Sequence, residues 1–374
     1  MARDLYEVVG DTQERAVLVG IDRARSDGWT LDDDLAELSR LADTAGAVVT
    51  GVVTQRMDRP NPRTFIGSGK AEEVEQLARE TGATMVVFDD DLTPSQQANL
   101  EGLLPQVRVI DRTQLILDIF AHRAMSREGK LQVEMAQLKY MLPRLSTRDD
   151  ALSRLTGGIG ARGPGETRLE IDRRRISDRL ARLGGELKAI ARERYRRRSK
   201  RRKKDLPVIS LVGYTNAGKS TLLNTLTHSD IVAEDKLFAT LDPTSRRLRF
   251  PTEMEVIITD TVGFIRNLPD TLLQAFKATL EELQEADLLV HVIDLSNPAY
   301  REQMAVVDRL LSELELGDIP CLKVFNKIDK APYPVQARAE AEKEGVVISA
   351  IDPATLPPFL ERAERMMGKV MEPM

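Results

Sequence analysis

Several short stretches of this chain could act on a nucleoside triphosphate. GYTNAGKS at 213–220 fits G-x-x-x-x-G-K-[ST], follows a strand-like run and is followed by the helix-like TLLNTL. In that setting Gly213, Ala217, Gly218 and Thr221 belong to a backbone cradle for phosphates. Lys219 reaches the β- and γ-phosphates and Ser220 holds Mg²⁺. DTVG at 260–263 ends a second strand-like run; Asp260 can complete the Mg²⁺ shell and the Gly263 N–H can approach the γ-phosphate. NKID at 326–329 ends a third. A carboxylate at Asp329 accepts from guanine N1–H and N2–H₂, donors that adenine lacks, while Asn326 holds the loop and the Lys327 stem covers the ring. Ser349 and Ala350 place a backbone N–H near guanine O6. FATLDPT at 238–244 offers two threonines for the remaining Mg²⁺ contact, Thr240 first and Thr244 as its competitor. The predicted metal set is Ser220, Thr240 and Asp260, and the predicted catalytic set is Lys219, Thr240, Gly263 and Asn216.

Two residues qualify the chemistry. The position after DTVG, where a glutamine often orients the attacking water, is Phe264, whose ring cannot do so. Asn216 can help hold a monovalent cation such as K⁺ beside the phosphates, in place of an arginine finger; a loop-stabilising role is the alternative.

These motifs need three kinds of scaffold. Residues 1–111 alternate strand-like runs (RAVLVGI, GAVVTGVVTQ, TMVVFD, VRVID) with helix-like ones, which argues a small parallel α/β domain. Residues 112–205 carry seven-residue repeats: Leu117, Ala124, Leu131 and Leu138 in a first helix stopped by Pro143. Leu169, Ile176, Leu183 and Ile190 repeat in a second helix running from about Glu166 to Lys204. Two such helices predict a long antiparallel hairpin with the glycine-rich GGIGARGPGET (157–167) at its tip. Residues 206–374 have near-continuous apolar runs separated by helix-length segments, the pattern of a doubly wound phosphate-loop domain with a short C-terminal helix.

Charge is unevenly spread. Between 160 and 205 there are 18 basic and 7 acidic residues, a surplus of 11 in a chain of net charge −5, so the remainder stands near −16. A basic arm on an acidic body implies a polyanionic partner. Arg162, Arg168 and Arg173 are spaced to neutralise phosphates, and Gly160, Gly163 and Gly165 lend backbone N–H groups to an anion nest. A single cysteine, Cys321, rules out an internal disulfide, and no run approaches the roughly 20 apolar residues of a membrane span. The expectation is a soluble, cytoplasmic monomer. The three histidines have no metal-ligand spacing and are expected to be structural, and the acidic triads at 32–34 and 89–91 are expected to cap helices or face solvent.

The nucleotide motifs, in their order, resemble the boxes of the GTPase superfamily. GGIGARGPGETRLEIDRRR ahead of such a domain, with TFIGSGKAEEV at 64–74, is similar to the signature of the HflX-type GTPases. The resemblance covers nearly the whole chain and includes the missing glutamine. It implies GTP hydrolysis with Mg²⁺, GTP-dependent binding to the 50S subunit of the 70S ribosome, arm-tip contact with ribosomal RNA, and splitting of ribosomes, often after stress. The alternatives are a ribosome-assembly factor or RNA-binding switch with little turnover, and a nucleotide-stabilised scaffold. Some relatives continue beyond the last helix, PPFLERAERMMGKV.

Overall fold

The computed structural model describes residues 13–23, 28–145, 168–201, 206–229, 236–269, 272, 281–332, 338 and 341–371. They fall into two compact units, residues 1–119 with 142–169 and residues 120–141 with 170–374.

The first unit is built on four parallel strands, β1 (Arg15–Asp22), β2 (Val48–Arg56), β3 (Met85–Phe88) and β4 (Arg108–Asp111), in the order β2-β1-β3-β4. The connecting helices are α1 (Leu31–Thr44), α2 (Ser68–Thr81) and α3 (Pro94–Leu103). Local chemistry sets their ends. Thr30 and Asp33 form a reciprocal capping box at α1, and Thr93 and Gln96 do the same at α3, where Pro94 takes the first turn. TFIGSGK turns the chain into α2, with Gly67 at the cap. The acidic triads differ from expectation in part. Asp33 caps α1, but Asp89 is buried and accepts from Arg112 (2.8 Å), which also pairs with the buried Glu37. A planar guanidinium, whose N–H donors point outward in its plane from both NH₂ groups, lets both carboxylates leave water together.

Helix α4 (Arg112–Arg123) carries the chain into the second unit, where α5 (Arg127–Met141) follows. The seven-residue repeat reads straight through this point, yet the helix breaks at 124–126 because Ser126 turns to cap the new helix, accepting from the Gly129 N–H at 2.9 Å. The second arm helix, α6 (Arg168–Arg201), is antiparallel to α5. Arg179 donates twice to Glu134 (2.6 and 2.7 Å) and Arg127 reaches Glu186 (3.4 Å), so a step forward on one helix is matched by a step back on the other. Leu183 is fully buried in the seam, and Arg173 to Arg175 are exposed. The tip residues Gly160, Arg162, Gly163 and Gly165 lie outside the described residues.

The rest of this unit is a six-stranded sheet, order β10-β9-β8-β5-β7-β6. Its strands are β5 (Val208–Gly213), β6 (Thr244–Arg249), β7 (Glu255–Asp260), β8 (Leu288–Asp294), β9 (Cys321–Asn326) and β10 (Val346–Val347). All pairs are parallel except β6 with β7. One face packs α7 (Lys219–Thr227) and α9 (Pro357–Met371) onto Ile209, Leu211, Val290 and Val324. The other packs α8 (Tyr300–Glu313) onto Ile293 and Phe325. With both faces covered, alternation of polar and apolar residues is lost, as the apolar runs foretold. His291, inside β8, is buried 3.5 Å from the Asp308 carboxylate, and burial holds its imidazole below the usual histidine range. Among the described residues no helix is long and apolar enough to cross a membrane.

Candidate nucleotide site

Parallel strands deliver their following loops to one edge, outside their carboxyl ends. Here β5, β7, β8, β9 and β10 bring GYTNAGKS, DTVG, Asp294, NKID and Ser349–Ala350 together.

The phosphate loop runs from Gly213 into α7. Gly218, at φ +94°, sits at the helix cap, and Asn216 is also left-handed at φ +60°. The N–H groups that open α7 therefore face the loop's hollow, with the positive end of the helix dipole behind them. Lys219 lies across the hollow, buried, with Nζ donating to the Gly213 and Tyr214 carbonyls (3.2 and 3.0 Å). Burial brings its ammonium down to about 8, against the opposing pull of Asp260. A phosphate anion in the hollow would favour the charged form further.

Three oxygens converge beside Lys219. Ser220 Oγ donates to Asp260 Oδ2 (2.5 Å) and lies 2.7 Å from Thr240 Oγ1. Asp260 is fully buried, its carboxyl raised above the usual range by burial, and its Oδ1 has no hydrogen-bond partner. A buried carboxylate with an open lone pair among hydroxyl oxygens is the donor set that a hard divalent cation fits. Thr244, the competing threonine, instead opens β6, paired across the ladder with Asp260, and its hydroxyl points to the Asp242 carbonyl (3.5 Å). Gly263 packs against Thr215, and the Phe264 backbone is stitched to the loop, its N–H donating to Gly213 O (3.0 Å) and its carbonyl accepting from Thr215 N–H (2.7 Å). The Phe264 ring is buried, away from any position where it could touch water.

The base end is wired before any ligand arrives. Asn326 Nδ2 donates to Ala217 O (2.9 Å) and its Oδ1 accepts from Ala350 N–H (2.8 Å), so one side chain ties three loops. Lys327 Nζ donates to Asn216 O (2.6 Å) and to Asp294 Oδ2 (2.7 Å). Ser349 Oγ donates to Asp329 Oδ1 (2.6 Å), leaving the rest of that carboxylate toward a cavity lined also by Lys330 and Ile351. This cavity and the phosphate hollow share Asn216, Gly218 and Thr221. Of the predicted nucleotide residues, Gly213, Ala217 and Asp260 stand behind the lining, and the others line one or both cavities. Arg173 stands on the exposed face of α6, and Arg168 is that helix's first residue.

Two positioning residues escaped the sequence reading. Asp294 holds the Lys327 ammonium, and Thr355 Oγ1 accepts from the Ser349 N–H (2.9 Å). A signal for Asp294 existed: as the last residue of an apolar strand next to β9, it falls opposite Asn326 in the register.

Known proteins arrange themselves around the same features. Residues 32–121 match the family model for a GTP-binding GTPase N-terminal domain, 123–201 that for a GTP-binding GTPase middle region, and 208–327 that for a 50S ribosome-binding GTPase. A crystal structure of a GTP-binding protein from Sulfolobus solfataricus in complex with GDP shares the fold, with a TM-score of 0.50 and 24% identity over 96% of this chain and 99% of that one. The GTPase HflX of Caldanaerobacter subterraneus subsp. tengcongensis is 48% identical over 99% of this chain and 84% of its own length. That of Escherichia coli K12 is 44% identical over 97% and 85%. Similarity of that depth, spread over all three regions, makes this chain a member of the HflX family of GTPases.

Proposed function

We propose that the chain binds the large ribosomal subunit in its GTP state and splits or remodels ribosomes, with hydrolysis ending the bound state, and that stress is when the cell needs it. The observation that carries this is the pairing of a guanine-nucleotide site with a basic helical arm in one chain, alongside the match of residues 208–327 to a 50S ribosome-binding GTPase. The exposed Arg173 to Arg175 continue the basic character of the tip onto α6, and ribosomal RNA is the polyanion such a face would meet.

In this reading Lys219 and the backbone around Gly218 hold the phosphates and Asp329 selects guanine, while Asn326, bonded to Ala217 O and to the Ala350 N–H, holds the loops around the base. Ser220, Thr240 and Asp260 would hold Mg²⁺, which when bound neutralises charge on the β- and γ-phosphate oxygens. Gly263 lines the phosphate hollow, which supports its N–H as a γ-phosphate contact. Phe264 leaves water orientation to other groups, and Asn216, on the same lining, would help hold a K⁺ ion. GTP turnover should therefore rise several-fold or more when K⁺ replaces Na⁺ at fixed ionic strength; equal rates in the two salts would remove the cation from the mechanism.

Sedimentation of 70S ribosomes tests the main reading. With the protein, a non-hydrolysable GTP analogue and a factor that blocks subunit reassociation, subunit peaks should replace the 70S peak. Arg162→Ala combined with Arg168→Ala should abolish the effect without altering GTP affinity. Co-sedimentation without splitting would favour an assembly role, and no association at all would overturn the ribosomal reading.

A further inference from the structure

The loop that carries Thr240 is fastened to the arm. Phe238, two residues before Thr240, is left-handed (φ +54°) and buried, its ring set edge-on to Phe120 near the end of α4 with centroids 4.5 Å apart. Asp242, two residues after it, accepts from the Met125 and Ser126 N–H groups (2.9 and 2.7 Å) and from the Ser126 hydroxyl. Leu237 and Leu241 are buried between them. The loop thus enters the break between α4 and α5, and Asp242 brings a carboxylate to two backbone donors at the start of α5, an electrostatically favoured position. Gly129 makes room for it: a Cβ at that position would lie 2.6 Å from Asp242 Oδ1.

This contact fixes the flank of Thr240 opposite the one tied by Phe238. We propose that Asp242 is a positioning residue of the GTPase site: by capping α5 it holds Thr240 toward Ser220 and Asp260, so that the first turn of the arm is part of the device that reads Mg²⁺ and the γ-phosphate. The proposal rests on Thr240 being the Mg²⁺ contact. It deepens that reading by giving the nucleotide state a physical route into the arm. Linkage makes the coupling reciprocal: whatever strains the start of α5, including a partner on the arm, weakens the hold on Thr240 and with it the preference for GTP.

Two readouts test this on the full chain without ribosomes. The first is amide hydrogen exchange with Mg²⁺ and either GDP or a non-hydrolysable GTP analogue. The Met125 and Ser126 amides should exchange roughly tenfold more slowly with the analogue, the size expected for gaining one charged cap. The second is the Mg²⁺ concentration needed for half-maximal binding of a fluorescent GTP analogue. Asp242→Ala should raise it about tenfold on the same basis. Gly129→Ala, which by itself strengthens a helix, should do likewise by displacing the carboxylate. Asp242→Asn, which can still accept from both N–H groups, should stay near wild type. GDP affinity without Mg²⁺ should not move in any of them. Thr240→Ala separates the two ideas. If it raises the Mg²⁺ requirement while Asp242→Ala and Gly129→Ala do not, the latch is wrong and the Thr240 reading stands. If Thr240→Ala changes nothing, the Thr240 reading fails and takes the latch with it. Equal protection of Met125 and Ser126 with GDP and with the analogue also overturns the latch.

Discussion

Asp329→Asn should lower GTP affinity by at least about 10²-fold while raising affinity for xanthosine triphosphate. The carboxylate has only acceptors, and Ser349 uses one edge of it (2.6 Å). The remaining lone pairs suit the two donors on the guanine edge. Asparagine replaces one acceptor with an NH₂ group, which meets the guanine N2–H₂ donor head-on. Xanthine carries a carbonyl at that position and accepts from the new NH₂. Each hydrogen bond to a charged group contributes about 1.5–3 kcal/mol, and a buried mismatch adds to the loss, which together give the stated factor. Parallel equilibrium titrations with the two labelled triphosphates read the result. Unchanged GTP binding in the variant would place base recognition elsewhere.

Gly218→Ala should weaken GTP and GDP alike, by about 10²-fold or more. The residue sits at φ +94°, where a side chain costs on the order of 1–2 kcal/mol. Its Cβ would also stand 2.3 Å from Asn326 Nδ2. Asn326 must then withdraw from Ala217 O, leaving buried polar groups without partners at a further cost of about 1–3 kcal/mol. The injury falls at the joint between the phosphate hollow and the base cavity, so both diphosphate and triphosphate suffer. Competition titrations against labelled GDP, with a melting curve to show that the fold persists, distinguish this outcome from global unfolding. A loss confined to GTP would mean the joint serves the γ-phosphate alone.

These two positions illustrate what a sequence can disclose. Gly218 and Asp329 belong to motifs whose chemistry is local, so residue type and spacing are enough to locate them, and the apolar runs that precede them read as strands buried on both faces. Helix α3 is less legible: in PSQQANLEGL only Gln96 and Leu100 are buried, so no apolar face announces it. The break at 124–126 is hidden because Leu117, Ala124 and Leu131 keep their spacing across it; what interrupts the helix is Ser126, whose capping is a matter of local geometry, and a partner more than a hundred residues away. Asp294 and Thr355 act through neighbours supplied by other strands and turns; the apolar run that Asp294 ends hints at its place, while nothing along the chain marks Thr355. The sequence puts Thr240 ahead of Thr244 without a spatial reason; the strand assignment of Thr244 supplies one.

Asn326 joins Ala217 to Ala350 through its own side chain, whereas in the phosphate hollow Asp260 Oδ1 and Thr215 Oγ1 have no hydrogen-bond partner among the described residues. A socket already bonded to itself has little freedom left to lose on being filled. The consequence is temporal. On the proposed reading, association of a guanine nucleotide should depend little on Mg²⁺, and its dissociation should slow as Mg²⁺ is added. The lifetime of the complex, more than the speed of its formation, is where the cell's ions and the protein's partners have purchase.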